Sequence, residues 1–247
     1  MANKHLFALH VPFSLPVKVG ESFQIADPES WQRIVKILRL REGEQVILFN
    51  GQTHIILYLI RLAFNPKQPL IVGEVVESYS STPLSPHITL LQGIPKKAVL
   101  EEIVYNAAQL GVTSIVPLQT TKAHALPFSA KETERLFKIM IAACEQAKQF
   151  AIPQLKNPIS LKEAVEDYQA ERQLVFDSTG KSCASFFSSL KIPASLTVAF
   201  GPEGGLTDEE LATLEEASFE KVQLTPTILR SEDAPLLGIG LLRSLIA

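Results

Sequence analysis

The sequence predicts an α/β protein in two parts: a small β-barrel-like module, then a mostly parallel sheet covered by helices on both faces. Three observations lead there. The stretch Ser78-Tyr79-Ser80-Ser81-Thr82-Pro83-Leu84-Ser85-Pro86 replaces hydrophobic periodicity with serine, threonine and proline, and reads as a linker. Short β-like runs crowd the part before it. After it, short apolar runs alternate with longer runs of helical period.

Before the linker the strand candidates are His5 to His10, Glu44 to Asn50, Ile55 to Leu62 and Leu70 to Glu77, separated by turn material such as Asn50-Gly51 and Asn65-Pro66. Asp27-Pro28-Glu29-Ser30 has the form of a helix start. The residues that follow, Trp31 to Arg41, hold Arg33, Lys36, Arg39 and Arg41 and no anion. Clustered cations of this kind are the footprint of a nucleic-acid contact or the polar face of an ordinary amphipathic helix, and the stretch alone does not decide between them.

After the linker the strand candidates are His87 to Gln92, Thr113 to Leu118, Gln173 to Phe176, Leu196 to Phe200 and Lys221 to Leu224. Helical stretches lie between them at Lys96 to Leu110, Ala130 to Gln149, Leu161 to Asp167, Cys183 to Leu190 and Thr207 to Ala217. Thr207-Asp208-Glu209-Glu210 is a capping-box pattern that fixes one of these starts.

Composition narrows the function classes. With 247 residues, 46% hydrophobic and 20% charged, intrinsic disorder and collagen-like architecture are excluded. The 23 basic and 26 acidic residues leave a formal charge of −3, so any nucleic-acid surface must be local. Cys144 and Cys183 are too few for a disulfide framework or a cysteine zinc site and are expected to be buried thiols in a reducing compartment. The opening Met1-Ala2-Asn3-Lys4-His5 leads into no apolar signal core, and no run approaches the roughly 18 apolar residues of a membrane span. A cytoplasmic location without membrane or metal is expected, since the histidines lack metal-site spacing.

Two motifs fail on inspection. Thr179-Gly180-Lys181-Ser182 sits where a phosphate-binding loop would end, but the first glycine of that motif falls on Val175, so a plain turn is expected and a nucleotide-dependent enzyme is disfavoured. Gly238-Ile239-Gly240 opens like a dinucleotide fingerprint, yet lacks the third glycine and lies in a terminal helix, where packing explains it.

Two others carry chemistry. Phe200-Gly201-Pro202-Glu203-Gly204-Gly205 ends an apolar strand and leaves backbone bare of Cβ atoms, so a ligand could approach main-chain amides and carbonyls. Leu224-Thr225-Pro226-Thr227-Ile228-Leu229-Arg230-Ser231-Glu232-Asp233-Ala234-Pro235 passes from strand through a turn into the last helix. Ser231, Glu232 and Asp233 suit a helix N-terminus, whereas Arg230 does not, so it either meets a substrate or pairs with a neighbouring carboxylate.

These segments resemble the RsmE family of 16S ribosomal RNA uridine-N3 methyltransferases, in the SPOUT superfamily of trefoil-knotted enzymes. Four stretches in the family's order carry the resemblance: Val35-Lys36-Ile37-Leu38-Arg39-Leu40 with Gly43; Ala108-Gln109-Leu110-Gly111-Val112 leading to Ile115-Val116-Pro117; Ala142-Ala143-Cys144-Glu145-Gln146; and Phe200 to Gly205 with Ile228-Leu229-Arg230-Ser231-Glu232. The resemblance implies a PUA-like RNA-binding domain over residues 1–80 and a SPOUT methyltransferase domain with a C-terminal knot over 81–247, forming a homodimer. It further implies an S-adenosyl-L-methionine pocket lined by Phe176, Phe200, Gly201, Glu203, Gly204, Gly205, Leu224, Ile228, Leu229, Arg230 and Ser231, with the Phe176 to Gly180 loop as a third wall. Arg230 and Glu232 become the catalytic candidates. Arg33, Lys36, Arg39, Arg41, Lys96 and Lys97 become candidate contacts to 16S rRNA or the small ribosomal subunit.

The chain departs from the family pattern at Thr225-Pro226-Thr227, where Gly-Pro-Arg is usual, at Asn106 and Gln109, where lysine and glutamate are usual, and at Thr121-Lys122-Ala123-His124, where Glu-Arg-Ser is usual. Thr227 in place of an arginine removes a potential phosphate or cofactor contact, and Asn106 removes another cation, so substrate docking is affected more than cofactor binding. The competing reading is a catalytically weak RNA-binding or ribosome-assembly factor that keeps the fold.

Overall fold

The structure, a computed structural model, describes residues 6–14, 17–63, 68–126, 128–187 and 193–246. His5, the Asn65-Pro66 turn and residues 188–190 of the fourth predicted helix lie outside them. The chain divides into two units, Met1–Thr82 with Lys148–Ala151, and Pro83–Ala147 with Ile152–Ala247.

The first unit holds a five-stranded sheet of order β1-β3-β4-β5-β2, built from β1 (Ala8–His10), β2 (Ser22–Ile25), β3 (Gln45–Phe49), β4 (Thr53–Leu62) and β5 (Ile71–Ser80). β1 runs parallel to β3, and the remaining pairs are antiparallel. Alternation in β4 buries Thr53, Ile55, Leu57 and Leu59 and turns Tyr58 and Ile60 outward, so one face packs on a core with Leu9, Ile34, Leu48 and Ile71. β5 runs into the stretch read as linker, because Ser78 to Ser80 still pair with Thr53 to Ile55 and the Tyr79 ring stacks on His54. β2 has no counterpart among the sequence-predicted strands.

The helix predicted at Asp27 forms, but differently. Asp27 Oδ1 accepts from the Ser30 amide and Pro28 opens α1 (Pro28–Trp31), which continues as π-helical turns over Gln32–Ile37. Trp31 is buried and its indole donates to the Ala63 carbonyl. The helix stops there, since Arg39 adopts φ 54°. Arg33 and Lys36 therefore stand on the helix, whereas Arg39 and Arg41 lie beyond it.

The second unit is built on a wholly parallel sheet of order β12-β10-β11-β6-β7-β8, with β9 also on β7. Its strands are β6 (His87–Gly93), β7 (Ser114–Gln119), β8 (Gln154–Leu155), β9 (Ile159–Ser160), β10 (Arg172–Ser182), β11 (Ser195–Phe200) and β12 (Glu220–Gln223). The helices are α2 (Lys97–Gln109), α3 (Ala130–Ala147), α4 (Leu161–Asp167), α5 (Cys183–Phe187), α6 (Asp208–Glu216) and α7 (Asp233–Ile246). Alternating strand and helix thus yields the expected α/β layering. The capping box at Thr207 is present in full, with Thr207 Oγ1 accepting from the Glu210 amide and the Glu210 carboxylate from the Thr207 amide.

Two expectations are corrected. Thr179 to Ser182 is no plain turn but part of β10: Phe176 and Lys181 both register with Val222, residues 177–180 bulge between them, and pairing with β12 resumes at Lys181. A Cβ on Gly180 would sit 2.5 Å from the Val222 carbonyl carbon, so that glycine is there for close approach to β12. Cys144 is buried as expected, and burial pushes its thiol up to about 12. Cys183 is only half-buried, because it opens the short helix α5.

Candidate functional site

The site forms where β10, β11 and β12 end at their carboxyl edge, the usual place for a ligand in an open parallel sheet. β11 is buried along most of its length and delivers Phe200 to the edge. The chain then folds through Gly201 to Gly205, closed by the Gly205 amide on the Pro202 carbonyl at 2.8 Å. Gly205 has φ +69°, and a Cβ on Gly201 would come within 2.9 Å of the Gly205 carbonyl carbon. These two positions require glycine, and the loop presents main chain in consequence.

A cavity of about 390 Å³ opens beside this loop. All the sequence-predicted cofactor residues line it: Phe176 from β10, Phe200, Gly201, Glu203, Gly204 and Gly205 from the glycine loop, which Pro202 joins, and Leu224, Ile228, Leu229, Arg230 and Ser231 from the segment before α7. Leu206, Gln223 and Ala234 also line it and were not singled out. Each directly flanks or closely follows a predicted stretch, so extending those stretches was the only signal that could have found them. The Phe176 and Phe200 rings stack beside one another at the edge of β10 and β11.

Glu203 has a second task. Its Oε1 accepts from the Lys96 amide at 3.0 Å, and its Oε2 lies 3.6 Å from His124 Nε2. Burial works against the Glu203 carboxylate, but the amides of Lys96 and of Glu203 itself, with His124 and Lys96 close by, hold its pKa below the ordinary value. The Lys96 side chain makes no cap to α2, and Glu203 supplies one from a distant part of the sequence.

Arg230 is 82% exposed at the rim of the cavity, with its guanidinium 3.8 Å from Glu232 Oε1. Ion pairing with a neighbouring carboxylate, left open by the sequence, is thus present but loose. Glu232 does not line the cavity, and its Oε2 accepts from Ser231 Oγ at 3.3 Å. The candidate RNA contacts divide between the units: Arg33, Lys36, Arg39 and Arg41 belong to the first, Lys96 and Lys97 to the second. Lys97 pairs with Glu132 at 2.7 Å, and Lys36 lies over the Trp31 ring at 5.7 Å. Among the described residues no acidic, histidine and cysteine cluster could hold a metal, and no helix is long and apolar enough to cross a membrane.

Comparison with known proteins decides the family. Residues 82–243 match the RNA methyltransferase domain, and residues 34–72 match the RNA methyltransferase PUA domain. The chain belongs to the RNA methyltransferase family. The resemblance to RsmE proteins holds over nearly the whole of this RNA methyltransferase. It is 27% identical over 234 residues to "Ribosomal RNA small subunit methyltransferase E" of Bacillus subtilis, covering 91% of this chain and 90% of that one. The Synechocystis protein of the same name is 28% identical over 85% of this chain and 69% of its own length. Among solved structures, the Neisseria gonorrhoeae ribosomal RNA small subunit methyltransferase E bound to S-adenosyl methionine superposes with TM-score 0.82 at 27% identity over 98% of both chains. A Legionella pneumophila methyltransferase with bound SAM gives TM-score 0.81 at 26% identity, over 97% of this chain and 98% of that one.

Proposed function

We propose that this RNA methyltransferase transfers the methyl group of S-adenosyl-L-methionine to N3 of a uridine in the 16S rRNA of the small ribosomal subunit. The observation that carries the reading is the glycine-walled cavity at the carboxyl edge of β10 to β12, with a cation at its rim, in a chain of this family. Its volume, about 390 Å³, lies within the range of roughly 300–1,000 Å³ that small-ligand sites occupy. The residues fit the cofactor: the Phe176 and Phe200 side chains give an apolar wall for a purine, and bare main chain from Gly201 to Gly205 gives donors and acceptors for its polar groups.

When bound, S-adenosylmethionine supplies an electrophilic methyl group on a sulfonium. The residues of the chain then have to present a uridine N3 that is mostly protonated at neutral pH. Arg230, exposed and loosely held, stabilises the negative charge that gathers on the neighbouring uridine carbonyl oxygens as N3 loses its proton. Glu232, which stands next to the cavity wall and does not line it, or a water accepts that proton. The cavity walls fix the orientation of both reactants.

The same reading carries four further parts. Residues 1–80 act as the RNA-binding domain and 81–247 as the catalytic one, with the knotted threading of the SPOUT fold. Arg33, Lys36, Arg39, Arg41, Lys96 and Lys97 contact phosphates. The location is the cytoplasm. A homodimer forms through α7, on which Leu236, Leu237 and Leu245 stand exposed, and sedimentation equilibrium giving twice the chain mass is the expected result.

The deciding experiment incubates unmodified small subunits with labelled S-adenosylmethionine and maps reverse-transcription stops on the RNA. A new stop at one uridine, accompanied by label, is expected because N3 methylation blocks the pairing edge. Cofactor binding without label or stop would sink the reading in favour of an RNA-binding factor.

A further inference from the structure

The glycine loop that walls the cavity has little of its own to keep its shape. Apart from the Gly205 to Pro202 bond, its ties come from outside. Gln92 Nε2 donates to the Gly201 carbonyl at 3.1 Å, Glu203 reaches the Lys96 amide, and Lys122 Nζ donates to the Gly204 carbonyl at 2.9 Å. The Lys122 stem also lies against Gly204, where a Cβ would meet its Cδ at 3.0 Å. Two residues on, His124 Nε2 faces Glu203 Oε2 at 3.6 Å. Consecutive loop residues, 203 and 204, are therefore held by two side chains of one turn.

That turn is itself anchored. The Thr121 amide donates to Glu210 Oε1 at 2.6 Å, the same carboxylate whose other oxygen caps α6 at Thr207. The Ala123 amide donates to the Thr120 carbonyl at 3.0 Å, and the His124 amide to the Ile94 carbonyl at 2.9 Å. Neither Lys122 nor His124 lines the cavity. The ammonium-to-carbonyl bond is charge-assisted, so it is the strong tie of the pair.

We propose that Lys122 and His124 are positioning residues: they clamp the Gly201 to Gly205 loop in its ligand-ready shape and set cofactor affinity without touching the cofactor. The inference rests on the reading of the cavity as the S-adenosylmethionine site. A loop that must be ordered at the moment of binding binds more weakly than one already held, and the clamp removes that cost.

The test uses the full chain and S-adenosylhomocysteine as calorimetric probe, on wild type, Lys122→Met, Lys122→Arg and Lys122→Met with His124→Ala, with melting temperatures and RNA affinity measured alongside. Lys122→Met keeps the stem and loses the donor. It is expected to weaken probe binding about tenfold, the order of one charge-assisted hydrogen bond, and to raise the KM for S-adenosylmethionine far more than it lowers kcat. Lys122→Arg is expected to restore most of the affinity, and the double variant to bind more weakly than Lys122→Met. Wild-type binding with an unaffected Lys122→Met overturns this inference alone. Weakened RNA binding with unchanged probe binding also overturns it, by making Lys122 an RNA contact. A wild type that does not bind the probe overturns the reading of the cavity itself, and the clamp with it.

Discussion

The Phe176 and Phe200 rings stack 4.8 Å apart and 15° from parallel, one residue beyond the last register pair of β10 and β11. α7 comes down on this pair at Gly238, where a Cβ would meet Phe200 Cζ at 2.8 Å and Phe176 Cε2 at 3.4 Å. The glycine that opens an apparent dinucleotide fingerprint thus serves packing beneath the cavity.

Gly238→Ala is expected to destabilise the protein by about 1–3 kcal/mol, the usual cost of forcing a methyl into a filled contact. Because the displaced ring belongs to the cavity wall, S-adenosylhomocysteine affinity falls as well. Urea unfolding and calorimetry on the same variant check both halves, and an unchanged cavity with unchanged stability would contradict the packing assignment.

Arg230→Ala is expected to lower kcat by about 10²–10³, the scale of removing one donor from a developing oxyanion. The loose pair with Glu232 at 3.8 Å and the exposure of Arg230 make a large stability loss unexpected. A loss of activity under tenfold, with normal cofactor binding, would remove Arg230 from the chemistry.

Acid should loosen the glycine loop. Glu203 has a depressed pKa in the folded chain, so its stabilising contribution is fully present above the ordinary carboxylate value of about 4.3 and is lost as pH falls through the lower folded value. Glu203→Gln is therefore expected to be less stable than wild type at neutral pH, with the gap closing as the pH drops below about 4. Urea midpoints of both proteins across that range give the answer.

Replacing Arg33, Lys36 and Arg39 with alanine together is expected to weaken RNA binding and flatten its salt dependence, by about one unit of slope for each phosphate left without its cation. Filter binding at several salt concentrations measures it. Unchanged affinity would assign these cations to an ordinary solvated face.

The parts of this fold that the sequence shows are those fixed by local chemistry. Runs such as Leu196 to Phe200 and the Thr207 capping box announce themselves because apolar strands and side-chain caps need only near neighbours. The bulge in β10 is different, since it is defined by Phe176 and Lys181 both registering with Val222, some 40 residues on. β2 is less plain: Ser22 to Ile25 alternates Phe23 and Ile25 with polar residues, but over only four residues that pattern is too short to stand out until it pairs with Ile71 to Glu74. The π-helical turns after Trp31 look helical in period, and nothing in Gln32 to Ile37 marks the change of pitch or the stop at Arg39. At the site, the two loops were legible from glycines and a misplaced arginine. The ties from Gln92, Lys122 and His124 were not, because each depends on a distant strand end arriving beside the loop.

Arg243 clasps three distant points of the second unit. Its guanidinium, half-buried, donates to the Leu110 carbonyl at 3.0 Å, the Gly111 carbonyl at 2.6 Å and the Pro86 carbonyl at 2.8 Å, from 132 to 157 residues earlier in the chain. The carbonyl end of α2 and the entry to β6 therefore depend on one donor from a distant part of the sequence. Until α7 docks, those oxygens have only water, so the end of one helix, the start of a central strand and the docking of another helix are coupled through a single guanidinium.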